Sequence, residues 1–344
     1  MKNNSVIPPL APPILGGGIK EFIMKYDVVT IGDAFEDVFT SPEVDVKNSQ
    51  AFGSGQGICF ELGDKVPLKW IQYEIGGTAC NVAVGLARQG YKTAIVTALG
   101  DDSPARRVID RLKKEKVNCA SENIYPGIQT GFSVIFSIDG KRTIFSYHAM
   151  KNYELLKIDE NIEAEWLYIS SLGEGIGDIE KRIVKEVSQN NSKFAWNPGT
   201  NQLKKGASHW SHLLRCCTVL FLNKEEARLF LSINGKSSIE EMAKRLHMMG
   251  AKIVVITDSN NGADAYNGKE LFHIDTNRSI EVVDATGAGD AFATGFVGRL
   301  IGEKIGEYSK TVMTEALSSG LKNSQSVIRH IGAQNGLLSK KELE

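Results

Sequence analysis

From Tyr26 onward, short apolar runs alternate with longer segments whose apolar positions recur every three or four residues, the signature of strands alternating with amphipathic helices. Tyr26–Ile31 (YDVVTI) is a β-branched run closed by Gly32, as expected of a strand buried on both faces. The pattern predicts further strands at Thr93–Leu99, Trp166–Ile169, Lys193–Trp196, Thr218–Leu222 and Lys252–Thr257. Helices are predicted at Asn81–Gln89, Pro104–Lys116, Ile179–Gln189, Lys224–Leu231, Ser238–Met249, Gly289–Ile301 and Lys310–Lys322. Ser238 with Glu241 forms a capping box at one helix start. Such alternation specifies a mostly parallel sheet covered by helices.

Two stretches break the rhythm. Residues 39–73 are rich in Gly and polar residues and end in a strand-like piece, Val66–Ile75. Thr130–Tyr147 alternates apolar and polar residues around Asp139-Gly140, a hairpin signal. These pieces predict either a simple extension of the main sheet or a small second sheet, a β lid built from about 38–75 and 130–148. Residues 1–24, interrupted by prolines, read as a flexible extension ahead of one domain spanning 25–344.

Composition narrows the function classes. Lys and Arg total 40 against 41 Asp and Glu, so the chain lacks the basic surplus of a dedicated nucleic-acid binder or a polybasic membrane-surface protein. No apolar run approaches the roughly 18 residues of a membrane span. The five cysteines are odd in number and have no C-x-x-C spacing. They suggest neither a zinc site nor a disulfide framework and fit a reducing cytoplasm. What stands out is 34 glycines against 9 prolines, so the placement of the glycines becomes the question.

One group lies in Val282-Val283-Asp284-Ala285-Thr286-Gly287-Ala288-Gly289-Asp290-Ala291-Phe292. A small-residue loop there runs straight into a helix. Gly287, Ala288 and Gly289 leave backbone N–H groups unobstructed at the positive helix end, an anion-binding device. Asp290 in the first turn would favour the dipole wherever it stood. Beside such a loop it is also placed to take the proton of a hydroxyl that attacks an anionic group. Asp284 would compete with Asp290 as a second base, so holding a cation or fixing the loop suits it better.

A second group is Gly76-Gly77-Thr78-Ala79-Cys80-Asn81, where a strand-like run meets a helix. Gly76 and Gly77 permit close backbone approach to a ligand, and Asn81 either contacts that ligand or caps the helix. Past the first strand, Asp33, Glu36 and Asp37 form either a ligand-holding set at the sheet's C-terminal edge or a solvated acidic loop. Asn223-Lys224-Glu225-Glu226 reads on its own as a capping box.

Together these segments resemble the PfkB/ribokinase family of carbohydrate kinases. The stretch Asp284–Phe292 (DATGAGDAF) matches the family's C-terminal signature almost residue for residue, and Gly76–Gly90 (GGTACNVAVGLARQG) resembles its N-terminal one. The resemblance covers about residues 26–337. It implies a ribokinase-like three-layer α/β/α sandwich with a mostly parallel central sheet and a β lid. The implied reaction is ATP-dependent phosphorylation of a small sugar or nucleoside, with possible dimerisation through the lid. Asp290 then matches the catalytic base and Gly287–Gly289 the anion hole. Asp37, Gly76, Gly77, Asn81 and Asn197 match acceptor contacts. Asn223 and Glu226 match the motif that organises Mg²⁺, and Thr257 and Gly262 a nucleotide-side turn. Asp284 and Thr286 match a loop for a monovalent cation, K⁺, whose other half would lie near Ser326–Gly332.

Three departures stand out. Ser259 occupies a position usually held by Gly, the Ser326–Gly332 segment is one residue longer than in ribokinases, and Thr78 replaces their Lys. Neither G-x-x-x-x-G-K-[ST] nor a G-x-G-x-x-G after the first strand is present, which argues against a P-loop enzyme and an NAD-dependent dehydrogenase. A non-catalytic sugar or nucleoside sensor on the same fold is the alternative from another class.

Overall fold

The computed structural model describes residues 23–50, 55–119, 123–138, 141–148, 153, 156–304 and 308–344. All but the last two residues of the extension expected at 1–24, and the Asp139-Gly140 turn, lie outside them. In chain order come β1 (Met24–Ile31), β2 (Phe35–Pro42), β3 (Lys47–Asn48), β4 (Gln56–Gly57), β5 (Leu68–Gly76) and α1 (Thr78–Arg88). Next are β6 (Thr93–Val96), β7 (Leu99–Gly100), α2 (Ser103–Lys114), β8 (Asn118–Cys119), β9 (Ile124–Tyr125), β10 (Gly131–Ile138) and β11 (Lys141–Tyr147). The middle holds β12 (Ile162–Ile169), α3 (Gly177–Gln189), β13 (Lys193–Trp196), α4 (Thr200–Lys205), α5 (Ser211–Cys216), β14 (Val219–Asn223) and α6 (Lys224–Phe230). The remainder is α7 (Ile239–Met248), β15 (Ile253–Thr257), β16 (Ala263–Tyr266), β17 (Leu271–Ile274), α8 (Ala288–Leu300), α9 (Lys310–Val327) and α10 (Lys340–Leu343).

The main sheet has the order β17-β16-β15-β14-β13-β12-β1-β6-β8. It is parallel from β8 to β15 and ends in an antiparallel edge. Its central strands are buried on both faces because their side chains alternate between two cores. Val29 and Ile31 of β1 pack with residues of α3 to α7, whereas Val28 packs with α1, α8 and α9. That division produces the three layers.

The second sheet, β11-β10-β2-β5, stands apart. The sequence pattern finds its hairpin and β5 but not β2. Of the two readings of Asp33, Glu36 and Asp37, the solvated acidic loop fails for Glu36 and Asp37, which lie on a strand and are almost wholly buried. Local charge misleads here because Arg107 of α2 pairs with Glu36. The predicted strand Thr93–Leu99 also divides: β6 stays in the main sheet, while Leu99–Gly100 pairs with β9. α9 runs to Val327 rather than Lys322.

Candidate functional site

Strand order reverses at β1: β6 and β8 lie on one side, β12 to β15 on the other. The crevice beyond the carboxyl ends of strands at such a point is where ligands bind in open α/β sheets. Every segment singled out from sequence reaches this edge. Asp33 and Asp37 follow β1, Asn197 follows β13, Asn223 ends β14 and Thr257 ends β15. Asn223 and Thr257 are direct partners in the β14–β15 register.

The N-terminus of α8 forms the floor. Gly287 caps it with φ 77°, a left-handed conformation that disfavours any residue with a Cβ. A Cβ there would also stand 2.3 Å from that of Ala333, so the absent side chain lets the C-terminal strap lie against the loop. At Gly289, by contrast, a Cβ would meet nothing within 4 Å. The Ala288 N–H donates weakly to the Ala285 carbonyl at 3.3 Å. Those of Gly287 and Gly289 find no acceptor among the described residues. Two of the three expected anion donors are therefore free.

Asp290 lies in the first turn beside them. Asn81 Nδ2 donates to its Oδ2 at 2.7 Å. Burial pushes the Asp290 carboxyl above its ordinary range, opposed by Asn81 and by the nearby Thr78 side chain. Asn81 does not cap its helix, since α1 begins at Thr78 after Gly77. Its amide is committed at both ends, because Gln334 Nε2 donates to its Oδ1 at 3.2 Å.

Asp284 is 7% exposed and has no ion-pair partner among the described residues. Its Oδ1 accepts from the Thr286 N–H (2.9 Å) and hydroxyl (2.7 Å), and its Oδ2 from the Gly332 N–H (3.1 Å). The N–H groups of Val283 and Asp284 both reach the Ile328 carbonyl. The two segments that sequence pairs as one loop are thus adjacent. Asp284 fixes that loop.

On the acceptor side, β2 and β5 place Asp37 beside Gly76. A Cβ on Gly76 would fall 1.9 Å from Asp37 Oδ2, and one on Gly77 (φ 91°) 2.4 Å from the Asp33 carbonyl. Burial raises the Asp37 pKa to about 6, a Ser133 hydrogen bond lowers it, and repulsion from Asp284, Asp290 and Glu74 adds to the rise. The neighbouring acids are not solvated. Glu36 pairs with Arg107, and Asp33 accepts from the Tyr153 hydroxyl and bonds His148 Nδ1 at 2.9 Å. Asn197 Nδ2 donates to the Phe221 carbonyl.

The sheet register also sorts the aromatic residues. Asp37, Phe39, Trp70, Gln72, Ser133, Ile135 and Ile144 share one face, while Phe132 and Phe136 lie on the other.

On the nucleotide side, Asn223 and Glu226 form the expected reciprocal capping box, at 2.8 and 2.9 Å. Glu226 is nonetheless pushed upward, first by burial and further by Asp290, against the Asn223 N–H bond. Two carboxylates that repel across a desolvated cleft suit a cation carried in by a ligand. No cluster of three or more His, Cys, Asp or Glu among the described residues could hold a metal. Ser259 takes φ 44°, the left-handed conformation for which Gly is better suited. Gly262 has φ 85°, and a Cβ on it would strike the Ile274 carbonyl at 1.8 Å.

Sequence alone missed Gln334, His148, Tyr153 and the role of Thr78. All four act through contacts distant in sequence, and only Thr78 lies in a recognisable motif.

Residues 57–340 match the family model described as pfkB family carbohydrate kinase. The chain is 23% identical over 323 residues to an ATP-dependent 6-phosphofructokinase of Thermoanaerobacterium thermosaccharolyticum, covering 90% of each chain. It is 27% identical over 262 residues to a cytidine kinase of Thermococcus kodakarensis, covering 75% of this chain and 88% of the relative. Among solved structures, Arabidopsis thaliana ribokinase complexed with ribose and ATP aligns with a TM-score of 0.72 at 19% identity, covering 93% of this chain and 98% of that one. The ribokinase-like fold expected from sequence is thereby confirmed.

Proposed function

The chain belongs to the pfkB family of carbohydrate kinases, which are phosphotransferases, and from that premise we propose that it phosphorylates a hydroxyl of a small sugar at the expense of ATP. One observation carries this reading. A half-buried carboxylate, Asp290, accepts a hydrogen bond from Asn81 beside free N–H groups at the start of α8.

Asp290 takes the proton of the acceptor hydroxyl, and its raised pKa brings it closer to a working base at neutral pH. Gly287 and Gly289 direct N–H groups at charge growing on the transferred phosphoryl, with Ala288 completing the turn. Asp37 accepts acceptor hydroxyls, Gly76 and Gly77 let the acceptor approach the backbone, and Asn81 orients Asp290 next to it. Asn197 borders the acceptor at the neighbouring strand end. Asn223 and Glu226 position water around Mg²⁺, while Thr257 and Gly262 flank the nucleotide. Bound Mg²⁺ neutralises phosphate charge.

Residues 25–344 act as one domain on this reading, with the smaller sheet as its lid. The lid's outer face carries exposed Ile71, Tyr73, Phe145 and Tyr147, which supports pairing of two lids; sedimentation at increasing concentration tests it. A cation at the Asp284–Thr286 loop would make activity rise when Na⁺ is exchanged for K⁺, and an indifferent enzyme removes that assignment.

A nucleoside acceptor is the second reading. It is favoured by the apolar residues on the Asp37 face, where Trp70 and Ile144 keep open surface. ADP release measured with D-ribose, D-fructose, cytidine and adenosine separates the two. Faster turnover of a sugar supports the first reading, and faster turnover of a nucleoside the second. Binding without turnover of any acceptor would support the non-catalytic sensor.

A further inference from the structure

We propose that Gln334 is a positioning residue for Asp290, acting through Asn81. The inference rests on the reading of Asp290 as the base. Gln334 belongs to the strap that follows α9, and its side chain crosses to α1. There Nε2 donates to Asn81 Oδ1 at 3.2 Å and touches Cys80 Sγ at 3.4 Å. Asn81 Nδ2 then donates to Asp290 Oδ2 at 2.7 Å. Gln334 is 1% exposed and Asn81 3%, so the bond between them is shielded from water.

The orientation of both amides has one solution. An ionised carboxylate only accepts hydrogen bonds. Asn81 must therefore turn its NH₂ toward Asp290, which points its carbonyl oxygen the other way. That oxygen needs a donor, and Gln334 supplies it. Were either amide reversed, two acceptors would face each other.

The geometry also shows a cost. Gln334 Oε1 is buried with no hydrogen-bond partner among the described residues, an arrangement that normally destabilises a fold. A residue placed only for packing would fill the space better with an apolar side chain. The strap itself is held independently. Arg88 Nη1 donates to the Gln334 carbonyl at 2.7 Å and to that of Leu337 at 3.4 Å, and Arg88 pairs with Glu115. The same strap presses Ala333 against Gly287 and offers the Gly332 N–H to Asp284. One segment thus sets the loop, the cap and the orientation of the base.

The groups that face Asp290 electrostatically from other elements are Glu226 of α6, Asp37 of β2 and Tyr168 of β12. All remain in place when Gln334 is changed, so a shift on substitution reports the relay. The test is carboxyl ¹³C NMR of aspartate-labelled protein, with the Asp290 signal identified as the one lost in Asp290→Asn. In Gln334→Met, which keeps volume but removes the donor, the Asp290 titration midpoint should move up by roughly half a pH unit or more. Turnover with the best acceptor of the panel should fall about five-fold with the KM for ATP unchanged, the equivalent of one neutral hydrogen bond. An unmoved midpoint overturns the proposal. Should Gln334→Met not fold, side-chain amide exchange in the wild-type protein decides. Gln334 and Asn81 NH₂ protons should be protected, and exchange as fast as that of exposed amides overturns the relay. If Asp290→Asn keeps near-wild-type turnover, the base assignment fails instead, and the two failures are distinguished.

Discussion

The two halves of the cleft are built on opposite terms. At the start of α8, the two carboxylates and the loop are held by protein contacts: Asp290 by Asn81, Asp284 by Thr286 and Gly332, Gly287 against Ala333. Across from it, the Asp37 face of the smaller sheet holds a buried carboxylate with Ser133 but no cation among the described residues. Around it lie apolar side chains, some buried and some half open to solvent. Preorganised donors lower a barrier because they need no reordering during reaction. A less committed wall leaves acceptor choice to the side chains that line it. On the proposed reading, chemistry belongs to the rigid half and selectivity to the responsive half.

The largest expected effect tests the rigid half at its centre. Asp290→Asn should lower kcat by about 10² or more while leaving ATP binding, measured by calorimetry, near the wild-type value; turnover that survives would remove the contrast between the halves. Gly289→Ala comes next. Since a Cβ there meets no protein atom, the melting temperature should hold or rise slightly, as expected for Ala over Gly in a helix. The methyl would occupy the anion's place, so turnover should drop roughly 10²-fold, the scale of one lost oxyanion donor. A fully active Gly289→Ala enzyme places the phosphoryl elsewhere.

The responsive half is probed by pH. Asp37 titrates near 6, above the 3.8 of a free side chain, so it is charged and able to accept two hydroxyls only above that value. The KM for the acceptor should rise as pH falls through about 6, and this limb should vanish in Asp37→Asn along with most acceptor affinity. The stability sign is the reverse of a salt-bridged carboxylate. The native state binds more protons between 3.8 and about 6, so this group favours folding progressively less as pH rises through that window. At neutral pH it costs on the order of 2–3 kcal/mol. Asp37→Asn should therefore raise the melting temperature at pH 7, and a lower one would mean that Asp37 is satisfied by contacts the desolvation argument omits. The smallest effect is Ser259→Gly, which should stabilise by about 1 kcal/mol by relieving a left-handed conformation, visible as a higher denaturant midpoint.

Much of the phosphate side was legible in the sequence because its parts are contiguous. A loop of small residues opening a helix with an acid in its first turn can do few other things, and Asp284 to Asp290 span one short segment. The strand–helix alternation was legible for the same reason, since periodicity is local. β2 was not, because Glu36 and Asp37 read as exposed charges until α2 supplies Arg107 and β10 supplies Ser133. That Asn81 does not cap its helix was not legible, because its partners Asp290 and Gln334 lie more than two hundred residues away.

The amino-acid order by itself determined the layered α/β architecture, the anion-binding turn and the family. Each is encoded in residues close together in the chain, through side-chain period and backbone freedom. Only the tertiary structure decided which residues share each face of the smaller sheet, which acids are paired, and how Gln334 near the C-terminus comes to bond Asn81 beside Asp290. Those outcomes depend on register and on contacts between distant segments. Burial turns such contacts into energy, and a linear sequence carries no local trace of them.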